Sequence, residues 1–246
     1  MSRVEREDPV SYYDAYSRQY DAVRINAYHR TVNSLTREFL LRFVEPGQRV
    51  LDLGCGTGIN MDWLREEGVS AFGLDPSSQM IRRARDKGHS VMRGTAVRFP
   101  FRSETFDLVY SFKVLPHVEA IEDAVNEVHR VLKPGGIAVL ECYNPYSIRG
   151  FIKCVMRPGL SVAKGLTEKQ IYTRFDRPGR MLHYMKPGFS SLESRGTVVF
   201  CPVAAIYAWP VLGRVLGWLE KTFCDTPLKY LSGFFMTAGR KKSENE

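Results

Sequence analysis

The sequence predicts an α/β fold built on a largely parallel sheet, and three observations predict it. Short apolar runs alternate with longer amphipathic runs between residues 49 and 143. Glycine or proline closes most of the longer runs. The chain has 246 residues, 44% of them apolar, which is long enough for one such domain with a buried core and short for two. Strands alternating with helices need crossover connections, and these give right-handed βαβ units with parallel strands.

Taken in order, residues 8–44 read as helical. Tyr12, Tyr16 and Tyr20 recur at i, i+4 and i+8, which sets three aromatic rings on one face. Pro46-Gly47 turns the chain into a first strand, "RVLDL" (49–53). "GINMDWLREEG" is a helix ended by Gly68, a residue free to take the left-handed conformation that closes helices. "SAFGLD" (70–75) is the second strand. "PSSQMIRRARDKG" is the next helix, with Pro76 near its start and Gly88 at its end. "SVMRG" is a third strand and "TFDLVYS" (105–111) a fourth. In "AIEDAVNEVHRVLKPGG", Ile121, Val125, Val128 and Leu132 share one stripe, and Pro134-Gly135-Gly136 stops the helix. "IAVLECY" (137–143) is the fifth strand. After about residue 145 the alternation loosens. Residues 146–190 mix short helical patterns with "RPG" and "KPG" turns, "RGTVVF" (195–200) reads as a strand, 207–223 as a helix, and "SGFFMTAGRK" (232–241) as a last strand.

Five dispersed cysteines (Cys55, Cys142, Cys154, Cys201, Cys224), odd in number and without C-x-x-C spacing, speak against a disulfide framework or a zinc site. The charged start "MSRVERED" has no apolar core of a signal peptide, and no apolar run approaches the roughly 20 residues that span a bilayer, so the expectation is a cytoplasmic protein. The net charge of +8 suits RNA, an anionic lipid surface, an acidic substrate, or simply a basic protein. The tail "RKKSENE" reads as a solvated end.

The stretch "DLGCGTG" (52–58) joins the first strand to its helix. Glycine there lets the turn reach positive φ and lets a ligand approach bare backbone, while the helix start offers unpaired N–H groups. The dinucleotide fingerprint G-x-G-x-x-G does not fit, because Ile59 stands where its third glycine belongs. Asp52, at the end of the first strand and expected on the rim of the crevice, suits a cationic ligand or an ammonium group. Asp75, ending the second strand about twenty residues on, can accept both hydroxyls of an unphosphorylated ribose. It can equally cap the helix that follows.

With these residues in view, "VLDLGCGTG" closely resembles the first motif of class I S-adenosylmethionine (SAM)-dependent methyltransferases. "GLDPSSQMI" resembles their second motif, "FPFRSETFDLVYSFKVLPHV" the region around their fourth strand, and "EVHRVLKPGGIAVL" the helix-turn-strand that follows. The variety resembled is the ubiquinone/menaquinone-biosynthesis and general small-molecule group (methyltransferase type 11). The resemblance covers roughly residues 12–145 and the last strand. It implies a Rossmann-like sheet of seven mostly parallel strands, ordered 3-2-1-4-5-7-6 with strand 7 antiparallel and helices on both faces. It implies SAM as cofactor, with Asp52, Gly54, Cys55 and Gly56 at its methionine end, Asp75 on the ribose, and Pro76 and Met80 against adenine. Ser111 would face the methionine portion, and Tyr20 would close over the cofactor. One departure concerns the Gly-Asp-Ala common in the family: here Thr95 stands between Gly94 and Ala96, able to accept a bond from adenine but without charge. The expected organisation is a single domain, with a helical cap over 1–45, a SAM-binding core over 46–145, a substrate-side insertion over 146–230, and the last strand and tail over 231–246.

Methyl transfer requires mainly in-line alignment, since the sulfonium is already activated, though an oxygen nucleophile can also need a base. His117, after the fourth strand at the carboxyl edge of the sheet, is the candidate base and substrate neighbour. Its alternative is a loop histidine that only caps or packs. Tyr12, Tyr16 and Tyr143 are further substrate-side candidates. The other histidines (29, 89, 129 and 183) have no metal spacing, so no metal site is expected. "NPY" (144–146) lacks the second proline of the N-P-P-Y motif and follows the wrong strand. In "YTRFDRPGR", Arg174, Arg177 and Arg180 interleave with Tyr172 and Phe175, and either meet an anionic acceptor or form a solvated loop. The helix 207–223, with Trp209 and Trp218, reads foremost as core or lid, with peripheral membrane contact left open. The leading function is methyl transfer to a small-molecule or lipid-like acceptor. An RNA methyltransferase is supported by charge alone, a nicotinamide oxidoreductase is opposed by the glycine spacing, and a non-catalytic SAM-binding protein stays open.

Overall fold

The computed structural model describes residues 8–148, 150–151, 161–163, 166–167, 171–201 and 203–243. Cys154, the "RPG" turn at 157–159 and the tail beyond Ser243 lie outside them. The strands of the main sheet are β1 (Val50–Leu53), β2 (Ala71–Asp75), β3 (Ser90–Arg93), β4 (Phe106–Ser111), β5 (Leu132–Tyr143), β6 (Phe189–Thr197) and β7 (Phe234–Lys241), beside a separate pair of short strands at Ser161–Ala163 and Leu166–Thr167. They form one sheet in the order β3-β2-β1-β4-β5-β7-β6. β1 to β5 pair in parallel, with Asp52 opposite Gly73 on one side and Tyr110 on the other. β7 runs antiparallel to both β5 and β6. The expected strand order and the antiparallel seventh strand are therefore present.

Helices cover both faces because the apolar positions of the central strands alternate. Leu51, Leu53, Val109 and Leu140 face one side, where α6 (Ile121–Val131) buries Ile121, Val125 and Val128 and α7 (Pro178–Met185) buries Met181 and Met185. Val50, Leu108 and Val139 face the other, against Phe39 and Leu40 of α3 (Ala27–Leu40) and Met61 and Leu64 of α4 (Ile59–Glu66). Each such buried side chain contributes about 1.5–3 kcal/mol. In α6, Glu122 and Asp123 lie in the first turn and His129 and Arg130 in the last, in accord with the helix dipole. α5 (Ser78–Asp86) is capped by Ser77, whose hydroxyl accepts the Met80 N–H at 3.1 Å, a bond worth about 1 kcal/mol.

Three expectations need correction. The helix expected over 8–44 is broken into α1 (Pro9–Tyr16), α2 (Tyr20–Val23) and α3. The second break follows from Asn26, which leaves the helix to cap α3 by accepting the His29 N–H at 2.9 Å. The strand expected at 195–200 lies at 189–197, a polar edge strand with a bulge between Ser191 and Glu193. The helix expected from 207 begins at Pro210 as α8 (Pro210–Phe223), preceded by a 3-10 turn over Ala204–Ala208.

Candidate active site

The turn after β1 carries Gly54, Gly56 and Gly58 at φ of 77°, 54° and 81°. Side chains resist that conformation. At Gly54 the space is also taken, since an added Cβ would stand 2.1 Å from Val114 Cγ2. The turn is fixed by β2: the Gly54 and Cys55 N–H groups donate to the Leu74 carbonyl at 2.7 and 3.2 Å. Asp75, at the end of β2, accepts the Gly56 N–H at 2.9 Å through Oδ2 and the Ser77 N–H at 2.8 Å through Oδ1. Helix capping itself falls to Ser77, not to Asp75. Burial raises the Asp75 pKa to about 6, and the two backbone bonds oppose that rise.

One cavity of about 390 Å³ opens beside this turn, within the range of small-ligand sites. Gly54, Gly56, Asp75, Pro76, Met80, Thr95 and Ala96 line one part, and Lys113, His117 and Val118 the other. α1 and the chain after it cover it with Pro9, Val10, Tyr13 and Tyr20. Two carboxylates fasten that cover. Asp14 Oδ1 accepts from Ser77 Oγ at 2.5 Å and from the Gln79 N–H at 3.0 Å, and Asp21 Oδ1 accepts from Thr57 Oγ1 at 2.5 Å.

A smaller, polar recess adjoins the turn, lined by Tyr20, Arg24, Asn33, Thr36, Cys55, Trp63 and Lys113. The Arg24 guanidinium lies over the Tyr20 ring at 4.0 Å, and its Nε is buried without a hydrogen-bond partner. A buried, unpaired guanidinium edge is costly unless something anionic meets it. Lys113 holds a left-handed φ of 62°, and its N–H donates to Glu141 Oε1 at 2.9 Å. Glu141 is fully buried, and burial raises its pKa to about 7 against the charge of Lys113.

His117 sits in a short 3-10 turn after β4. Its Nδ1 is 2.9 Å from the Tyr172 carbonyl, which can only accept, so Nδ1 carries the proton and the lone pair lies on Nε2. Its ring meets Tyr13 at 5.9 Å and Tyr143 at 6.1 Å, both edge-on. Tyr143 in turn contacts Phe175 and Phe234.

Six of the residues expected at the site are placed elsewhere. Asp52 is fully buried below the rim, and its two oxygens make no hydrogen bond of good geometry. Burial raises its pKa to about 8, against the pull of the Tyr110 hydroxyl beside it. Ser111 faces inward and donates to the Leu53 carbonyl at 3.0 Å, bracing β4 on β1. Tyr12 and Tyr16 pack with Ile171 in a satellite cluster, against which Tyr13 and Tyr20 of the cavity wall lie. Arg174 commits its guanidinium to Asp176 at 2.6 and 3.2 Å, to the Glu119 carbonyl and to the Tyr184 hydroxyl, so it clamps the loop instead of meeting an acceptor. Arg177 is exposed and stacks over Tyr146 at 4.8 Å. Conversely, Tyr13, Arg24 and Lys113 were missed. Tyr13 adjoins the chosen tyrosine, Arg24 lay within the presumed long helix, and Lys113 has no motif of its own.

Residues 51–140 match a family described as methyltransferase domain. Those residues form a methyltransferase domain. The relatives include an uncharacterised protein of Methanocaldococcus jannaschii, 34% identical over 65% of this chain and 61% of its own. A sterol 24-C-methyltransferase of Schizosaccharomyces pombe is 35% identical over 38% of this chain and 27% of its own. The chain thus spans about six-tenths of the first relative's length and about a quarter of the second's. A SAM-dependent methyltransferase structure from Thermotoga maritima superposes with a TM-score of 0.65 at 21% identity, covering 95% of this chain and 99% of that one, and shares the fold. SAM is the cofactor that the resemblance of the sequence motifs implies. The site's chemistry fits it: a bare-backbone turn, a carboxylate for ribose and an arginine edge for a carboxylate.

Proposed function

We propose that the chain transfers the methyl group of SAM to a small, largely apolar acceptor seated between α1 and the residues after β4. The observation that carries this reading is the single cavity joining Asp75, Met80 and Thr95 to Lys113 and His117. SAM supplies a methyl group on cationic sulfur, and the C–S bond electrons stay with sulfur as an acceptor lone pair attacks in line. The chain's own groups bind and align. Asp75 keeps lone pairs for the ribose hydroxyls beyond those used by Gly56 and Ser77. Pro76 and Met80 flank adenine, and Thr95 and Ala96 stand at its edge. Gly54 to Gly56 line the methionine end, where Arg24 meets the carboxylate. Tyr20 closes over it. His117 Nε2 takes the acceptor's proton as the new bond forms. The apolar side chains of Tyr13, Phe112, Val114 and Val118 on the cavity wall support an apolar acceptor, as does the sterol substrate class in one relative's name.

Two measurements test this. Incubation with methyl-labelled SAM and fractionated extract, followed by mass spectrometry, is expected to label a small molecule. Label confined to RNA would replace the reading with RNA methylation, and tight SAM binding without any labelled product would leave a binding protein. His117→Ala is expected to lower kcat about 100-fold and to flatten the pH profile. Unchanged turnover and profile would remove the histidine from the chemistry.

A further inference from the structure

α8 is two-faced. Leu216 and Glu220 turn inward, and the Glu220 carboxylate accepts the Val199 and Phe200 N–H groups at 2.9 Å each, which anchors the helix. The outward stripe runs Val211, Arg214, Val215, Trp218, Lys221 at helical spacing, with Trp209 just before it. Trp209, Val211 and Trp218 are 64%, 76% and 63% exposed. The expectation that this helix is plain core or lid is therefore wrong for its outer face. Two exposed tryptophans, Trp209 at the cap and Trp218 on the anchored helix, beside Arg214 and Lys221, the latter 3.4 Å from Glu38, make the pattern of a segment that lies in a bilayer interface. At 14 residues α8 is too short to cross, and among the described residues no helix is long and apolar enough to do so.

The charge of the chain selects the occupant. Residues 146–230 hold 13 Lys and Arg against 5 Asp and Glu, whereas the rest of the sequence holds 22 of each. The whole excess of +8 thus belongs to the segment that carries α8. Several of its acids are already engaged: Glu220 is buried, Asp176 pairs with Arg174, Glu193 with Arg42, and Asp225 with Arg195. A second copy docking through the same face would oppose two positive segments. An anionic lipid surface takes up both the apolar stripe and the charge.

We propose that α8 seats the protein on an anionic membrane surface. Its inner side joins a cluster of Tyr28, Val32, Tyr207, Leu216 and Phe234 against which Tyr143 packs, and the Tyr143 ring is 6.1 Å from that of His117. The membrane-facing helix is thus separated from the reacting end of the cavity by one packed cluster. This surface goes beyond methyl transfer and does not rest on it.

Flotation of the full chain with vesicles tests it, using phosphatidylcholine alone and phosphatidylcholine mixed with phosphatidylglycerol. The protein is expected to float with the anionic vesicles and not with the neutral ones, and to release as salt is raised. Trp209→Ser with Trp218→Ser, and separately Arg214→Glu, should each weaken vesicle binding about tenfold or more. Calorimetric SAM titration should be unchanged in both variants, since none of these residues lines the cofactor cavity, and this excludes misfolding as the cause. Failure to float with anionic vesicles, or variants that float like the parent, overturns the proposal. So does a dimer in sedimentation velocity that the tryptophan variants abolish, because the face would then belong to a second copy. A parent protein that floats but binds no SAM would sink the proposed function and leave the membrane surface standing.

Discussion

The two halves of the cavity are built differently. Around the glycine turn the main chain does most of the holding: amides of Gly54, Cys55, Gly56 and Ser77 are all tied to β2 or to Asp75. Around His117 the wall is made of side chains, Val10 and Tyr13 from α1 and Lys113, Val114 and Val118 after β4, with the Tyr143 ring and the Tyr172 carbonyl against the histidine. A site shaped by backbone geometry tolerates little change of sequence, whereas a wall of side chains can be rebuilt residue by residue. That is the division expected where the cofactor is constant and the acceptor varies.

Substitutions on the two sides break or sharpen this contrast. The largest effect is expected at Gly54→Ala. Positive φ and the collision with Val114 together should cost about 3 kcal/mol or more of stability and abolish SAM binding. Thermal melting and calorimetry read both, and a variant with parental melting would show that the turn is not rigid. Asp75→Asn comes next, with SAM affinity falling about 30-fold through the loss of charged acceptors. In the parent, affinity should also fall as pH drops below about 6, because the raised pKa of Asp75 leaves it protonated there. Stability moves the other way. Asp75 and Asp52, with pKa values raised from 3.8 to about 6 and about 8, hold their protons more tightly when folded. Their stabilising contribution is complete below 3.8 and is lost as pH rises through 6 and then 8. Asp52→Asn should remove the upper part of that loss in denaturant titrations. Asp14→Ala should be mildest, weakening SAM binding about five-fold by loosening α1. Equal affinity in this variant would mean that the cover does not hold the ligand.

The same contrast explains what could be read in the sequence. The five parallel strands were legible from local apolar runs and Asp75 from its place at the end of the second, whereas the strand order came from the resemblance of the motifs to a known family. β6 was misplaced because Phe189–Thr197 is a polar edge strand with little apolar signal. The breaks at Ser17 and Arg24 carry no proline or glycine, so the tyrosine periodicity ran through them and selected Tyr12 and Tyr16 over Tyr13. Ser111 and Asp52 sit at strand ends where alternation alone does not say which face is wet, and both turned inward. Arg174 shows a different limit, since a basic loop residue looks available until Asp176 two positions on is seen to hold it.

Lys113 marks a place where the chain accepts instability. A lysine in left-handed conformation costs roughly 1–2 kcal/mol relative to an ordinary backbone, and here it persists because Glu141, itself forced into the protein interior, holds its amide. Glycine at this position would relax the backbone but remove the ammonium group from the cavity wall. Selection for folding alone would favour the glycine. Lys113→Gly is therefore expected to raise the melting temperature by a few degrees while stripping the cavity wall of its ammonium group.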